Sequence, residues 1–146
     1  MEEYQVTKLI NTINNKALIH LNNICKDKDL SILEYRFVLS LVNNGGISQD
    51  KLSNLVDVNK SVTTRTLSSL LDKECIYRED DRNDGRIKKI SLTNLGYEYA
   101  KEFEAILFEF ESQLLSSFSD LEQENILYNF RKLNSILNKM NLKSKR

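Results

Sequence analysis

The sequence predicts a mainly α protein with a small β-hairpin wing, and three observations carry that expectation. There is no proline and there are only four glycines in 146 residues, so little in the chain breaks a helix. Apolar residues recur at steps of three and four through long stretches at both ends. Between those stretches one charged turn, Asp81-Arg82-Asn83-Asp84-Gly85-Arg86, separates Ile76-Tyr77 from the strand-like run Ile87-Lys88-Lys89-Ile90-Ser91-Leu92.

Val6, Leu9, Ile10, Ile13, Ala17, Leu21 and Ile24 place the first helix, which closes at Lys26-Asp27-Lys28-Asp29. Ser31 caps a second helix, with Glu34 three residues on in capping-box order. Phe37, Val38, Leu41 and Val42 follow, and Asn43-Asn44-Gly45-Gly46 stops it. Ile47 reads as a one-rung strand. Ser48 caps a short helix with apolar positions Leu52, Leu55 and Val56, ended by Asp57, a residue that tolerates left-handed backbone.

Asn59 caps the next helix, Lys60 to about Lys73. Its Leu67, Leu70 and Leu71 are expected inward, while Lys60, Ser61, Thr64, Arg65 and Ser68 stay polar. Of Val62 and Thr63, Thr63 is expected to face the core. After the hairpin, Thr93 opens a long helix through Leu95, Tyr99, Phe103, Ile106, Leu107, Phe110, Leu114 and Phe118. Ser119 and Asp120, with Glu122 and Gln123 behind them, cap a last helix. Its Ile126, Phe130, Leu133, Leu137 and Met140 alternate four and three, as a coiled-coil seam or as ordinary core packing.

A chain of this length is one domain by size, residues 1–146, and buries roughly 70% of its unfolded surface. No run approaches a membrane span, and Met1-Glu2-Glu3-Tyr4 lacks the order of a signal peptide, so a cytoplasmic protein without membrane contact is expected. Cys25 and Cys75 make no metal-ligand spacing and read as reduced, structural cysteines. One histidine and no glycine-rich phosphate loop leave no catalytic constellation, no metal site and no cofactor to expect.

The net charge of zero conceals a partition. Residues 59–92 carry eight Lys or Arg against six Asp or Glu, residues 97–130 one against eight, and residues 131–146 six against none. The acidic block reads as the solvated face of a long helix. The basic tail is either frayed or laid over a partner chain.

Helix, tight turn and a second helix with a polar N-terminal end form the arrangement that puts a recognition helix into a major groove. With the hairpin, residues 31–92 make a winged helix-turn-helix. The flanking helical regions, 4–26 and 93–141, exceed what so small a reading head needs to bury itself, and a homodimer interface is their natural use.

From Ile32 to Gly96 the chain resembles the MarR family of winged helix-turn-helix transcriptional regulators. The resemblance is carried by Leu52-Ser53-Asn54-Leu55-Val56-Asp57-Val58-Asn59-Lys60-Ser61-Val62-Thr63-Thr64-Arg65, and by Asp84-Gly85-Arg86 followed by Ser91-Leu92-Thr93-Asn94-Leu95-Gly96. Three positions depart from it. Asp57 replaces the usual turn glycine, Glu74 stands where a glycine usually ends the recognition helix, and Cys75 takes an aliphatic position.

Residues and resemblance together imply a homodimeric repressor of double-stranded DNA, with half-sites of a near-palindromic operator about 34 Å apart. Arg86 is expected to enter a minor groove, with Asp84 orienting it through an ion pair. Gly85 is expected to supply the bend, and Asp81 and Asn83 to face solvent. Arg82, Lys88 and Lys89 suit phosphate contacts. Lys60, Ser61, Thr64, Arg65 and Ser68 suit base edges or phosphates, Arg65 as a bidentate reader of guanine. Ser48 and Gln49, opening the preceding helix, suit backbone phosphate.

The resemblance also implies release by a small aromatic or anionic effector, with His20, Tyr35 and Arg36 as its candidate polar contacts. Two alternatives stay open: a redox-responsive regulator using Cys25, and a winged-helix module that docks on protein.

Overall fold

In the computed structural model residues 3–144 are described, with side chains as far as Met140. Of the basic tail, Arg131, Lys132 and Lys139 are exposed, while Lys143, Lys145 and Arg146 lie outside the described side chains. The elements are α1 (Gln5–Cys25), α2 (Ile32–Leu41), β1 (Ile47–Ser48), α3 (Gln49–Val56), α4 (Lys60–Asp72), β2 (Ile76–Asp80), β3 (Lys88–Leu92), α5 (Asn94–Leu114) and α6 (Asp120–Ser144). The strands form one antiparallel sheet in the order β1-β3-β2, so the expected mainly α class with a small wing is what the chain adopts. No helix among the described residues is long and apolar enough to cross a membrane. The chain divides into two compact units, Met1–Glu104 and Ala105–Arg146.

Local chemistry starts and stops the helices of the first unit. At Ser31 both halves of the capping box are present, each at 3.2 Å, and Ser48 and Asn59 cap α3 and α4 by accepting the Lys51 and Val62 amides. Both α3 and α4 then end in Schellman turns. Val58 N–H donates to the Ser53 carbonyl at 3.2 Å and Cys75 N–H to the Leu70 carbonyl at 2.9 Å. The residue such a turn forces into left-handed backbone is Asp57 in one and Glu74 in the other, each at φ 58°. Asp57 tolerates this, whereas Glu74 costs up to about 1 kcal/mol relative to glycine.

Phe37, Val38 and Leu41 of α2, Leu52 of α3, Leu67 and Leu70 of α4 and Ile90 of β3 form the fully buried centre. Thr63 faces inward as expected, its hydroxyl accepting from Ser53 Oγ at 2.7 Å and donating to the Asn59 carbonyl at 2.9 Å. Leu55 does not, because Leu52, Ser53 and Val56 take the buried side of so short a helix, and Leu71 is only half-buried.

A polar knot joins α2 to the end of α4. The buried Glu34 carboxylate accepts from Lys73 Nζ at 2.9 Å, from Ser69 Oγ at 3.1 Å and from the Ser31 amide, while Lys73 Nζ also donates to the Asp29 carbonyl at 2.8 Å. Burial pushes this carboxyl up, but the Lys73 hydrogen bond, the Ser31 bonds and the Lys73 charge outweigh it and hold the group below the ordinary carboxylate value.

The wing is rooted on the start of α5. The Cys75 carbonyl accepts the Thr93 amide at 3.0 Å, Thr93 Oγ1 donates to the Glu74 carbonyl at 2.6 Å, and the same oxygen accepts the Gly96 amide at 3.1 Å as an N-cap. A Cβ on Gly96 would overlap the Cys75 carbonyl oxygen and stand 2.9 Å from Leu92 Cδ2, so only glycine permits this approach.

In the second unit α5 stops at Leu114, short of the expected Phe118. The stop is imposed from the next helix: Ser119 and Glu122 form a capping box, and Gln123 Nε2 donates to the carbonyls of Leu115 and Phe118 at 3.2 and 3.1 Å. No described side chain of α6 is buried.

Two consequences are measurable by urea denaturation. Gly96→Ala should destabilise the protein by about 2–3 kcal/mol, since overpacking against backbone has no cheap relief; an unchanged midpoint would show that the root is not tight. Glu34→Gln should cost about 1–2 kcal/mol at pH 7. Because the folded carboxyl titrates below the unfolded one, its contribution is present above the ordinary carboxylate pKa and lost as pH falls through the folded value. The gap between native and variant should therefore narrow from pH 7 to pH 3, and a constant gap would contradict the assignment.

Candidate nucleic-acid interface

On α4 the buried side is Thr63, Thr66, Leu67 and Leu70, which leaves Lys60, Ser61, Thr64, Arg65 and Ser68 exposed together on the other. Most of the small polar groups are already partnered. Ser61 Oγ donates to Asn59 Oδ1 at 2.8 Å, and Thr64 Oγ1 donates to the Lys60 carbonyl at 2.9 Å. Lys60 Nζ lies 3.7 Å from the Asp50 carboxylate, both groups well exposed, so the pair is weak. Arg65 and Ser68 make no side-chain bond among the described residues.

Ser48 and Gln49 are half-buried at the start of α3, and each is engaged. Ser48 Oγ accepts the Lys51 amide, and Gln49 Nε2 donates to Thr64 Oγ1 at 2.8 Å. The sequence places Gln49 on a phosphate; the fold ties it to the recognition helix, a link between residues 15 apart that no local pattern announces.

The wing corrects one expectation. Asp81 is not a solvent-facing ornament: its Oδ1 accepts the amides of Asn83 at 2.8 Å and Asp84 at 3.3 Å, and Lys89 Nζ lies 3.4 Å from its Oδ2. Those backbone bonds, that to Asn83 foremost, hold its carboxyl below the ordinary value. The Asp81-x-Asn83-Asp84 order is an Asx-turn signature from which this role is readable. Gly85 sits with Arg86 at the centre of the Asp84–Ile87 turn and does so without left-handed backbone. Asp81 closes the tip, together with the Ile87 N–H to Asp84 carbonyl bond at 3.0 Å.

Asp84 then holds Arg86 in a fork, accepting from Nε at 3.0 Å, from Nη2 at 3.2 Å and from the Arg86 amide at 3.1 Å. The guanidinium keeps the Asp84 carboxyl below its usual range, and the Arg86 side chain is nonetheless 91% exposed. Lys88 pairs with Asp80 directly across the strands, and Lys89 with Asp81, so both lysines are partly neutralised at home. Arg82 is exposed and makes no ion pair among the described residues.

His20, Tyr35 and Arg36 are not brought together. His20 is exposed on α1. Tyr35 is fully buried, stacked on Phe103 with centroids 5.1 Å apart, and its hydroxyl donates to Glu102 at 2.8 Å. Arg36 donates to the Val56 carbonyl at 3.1 Å, closing the end of α3. Cys25 is buried, and burial pushes its thiol up, which opposes the thiolate a peroxide sensor needs. No group of three or more His, Cys, Asp or Glu among the described residues could hold a metal ion.

Residues 30–88 match the model of the MarR family. The HTH-type transcriptional regulator YybA of Bacillus subtilis is 30% identical over 115 residues, 76% of this chain and 75% of its own. The chain belongs to the MarR family. It is accordingly a transcriptional regulator and not an enzyme, as the sequence suggested. Another relative, the transcriptional repressor MprA of Escherichia coli, is 26% identical over 141 residues, 95% of this chain and 80% of its own. The MarR-family fold extends over nearly the whole chain: the Staphylococcus aureus MepR–DNA complex aligns with a TM-score of 0.80 at 24% identity, covering 91% of this chain and 98% of that one.

If Asp81 closes the wing tip, Asp81→Ala should speed amide exchange at Asn83 and Asp84 by about five- to tenfold, the worth of one hydrogen bond to each. Unchanged protection there would return the turn to its other contacts.

Proposed function

We propose that this MarR-family chain is a homodimeric repressor that reads a near-palindromic double-stranded DNA operator. The observation that carries the reading is the Arg86 fork: a guanidinium held by Asp84 at the tip of a two-stranded ribbon, yet exposed over nine-tenths of its side chain. A pre-oriented cation at that place suits a narrow minor groove. The exposed Lys60, Ser61, Thr64, Arg65 and Ser68 of α4 suit the adjoining major groove, with Arg65 placed to read guanine.

Dimerisation is supported by apolar residues that stay exposed among the described residues. Val6, Leu9 and Ile13 on α1 are each at least half exposed, as are Leu127, Phe130 and Met140 on α6. The repressor role follows the MprA relative, and the DNA partner follows the MepR complex. Release by a small aromatic or anionic effector completes the proposal, at a site other than one built jointly from His20, Tyr35 and Arg36.

Binding of duplexes from upstream of the chain's own gene should be measured against salt for native protein and Arg86→Ala. We expect the variant to bind about tenfold or more weakly, and the slope of log K against log salt to fall by about one for each phosphate it no longer neutralises, with an unchanged dimer in sedimentation. Binding indifferent to both salt and Arg86 would favour a module that docks on protein, and a sedimenting monomer would overturn the palindrome.

A further inference from the structure

Resting on that DNA reading, we infer that Thr64 is a thymine reader that presents its methyl group, not its hydroxyl, to the major groove, and that Gln49 is the positioning residue that fixes it so. The hydrogen bonds around Thr64 Oγ1 decide the matter. That oxygen lies 2.9 Å from the Lys60 carbonyl oxygen, and a carbonyl can only accept, so the single hydroxyl proton of Thr64 must lie between them. The Gln49 bond at 2.8 Å must then come from the amide NH2, which occupies a lone pair of the same oxygen.

The hydroxyl therefore has no proton left for the acceptors that purines and thymine line up along the major groove. Its χ1 is also fixed from two sides, by its own helix and by α3. Beyond the one lone pair left on that oxygen, what the exposed side chain still offers is the γ-methyl, and among the base edges of the major groove the apolar partner is the C5-methyl of thymine. Neighbouring Arg65, which makes no side-chain bond among the described residues, keeps the donors that Thr64 has given up. The helix thus pairs an apolar reader with a cationic one at adjacent positions.

The test uses the full chain and duplexes it enriches from a random pool. Each thymine of the enriched site is replaced singly by deoxyuridine, which removes only the C5-methyl, and affinity is measured for native protein, Thr64→Val and Thr64→Ser. Valine keeps the methyl and shape, and serine keeps the hydroxyl; both sit at an exposed position. The expected result is one thymine per half-site at which uracil weakens native binding by about three- to fivefold, the worth of one buried methyl. Thr64→Val should keep that sensitivity and Thr64→Ser should lose it, while Gln49→Ala should reduce it. Tight binding with no uracil-sensitive position, or sensitivity that survives in Thr64→Ser and vanishes in Thr64→Val, overturns the inference and leaves the DNA reading standing. Failure to enrich or bind any duplex overturns both.

Discussion

The carbonyl oxygen of Cys75 is the point on which the reading head turns. It follows the left-handed residue that ends α4, opens the first strand of the wing, accepts the amide that closes the second strand, and lies where a side chain on the first turn of α5 would stand. Recognition helix, wing and arm helix are therefore fixed to one another through a single peptide group. The Leu-Thr-x-x-Gly order around Thr93 and Gly96 has a mechanical reason: the threonine caps the new helix and bonds the Glu74 carbonyl, and the glycine makes room.

A second constraint acts at the other side of α4. Glu34 and Lys73 tie its last turn to the first turn of α2, with Asp29 drawn in through its carbonyl. The same short segment reaches α5, since Lys28 bonds Glu102 at 2.7 Å and Tyr99 donates to Asp29 at 2.8 Å. Residues 28–34 thus connect the recognition helix to α5 by polar bonds, of which those to Glu34 are the ones withdrawn from water. Such bonds hold geometry more strictly than apolar packing, because leaving any member unpaired is costly.

Much of this is legible in the sequence. Caps at Ser31, Ser48 and Asn59, the inward Thr63 and the hairpin follow from residue type and local spacing, and the cap partners lie within four residues. The Asp84–Arg86 fork is legible for the same reason. What escapes depends on distant residues. The engagement of Tyr35 by Glu102 spans 67 positions and that of Gln49 by Thr64 spans 15, and neither leaves a local pattern. The early stop of α5 escapes because its cause, the Gln123 side chain, stands inside the following helix. Asp81 misleads because a charged residue at a hairpin tip reads as solvent-facing, when its carboxylate has gathered the backbone amides of Asn83 and Asp84.

The acidic partners of the wing lysines have an effect on search. Asp80 and Asp81 pair with Lys88 and Lys89 along the ribbon and Asp84 pairs with Arg86, which leaves Arg78 and Arg82 as the wing cations with no ion pair among the described residues. Attraction to phosphate that ignores sequence grows with the number of unpaired cations. A ribbon that cancels most of its own charge clings weakly to the vast excess of wrong sites, and the time spent on them is short.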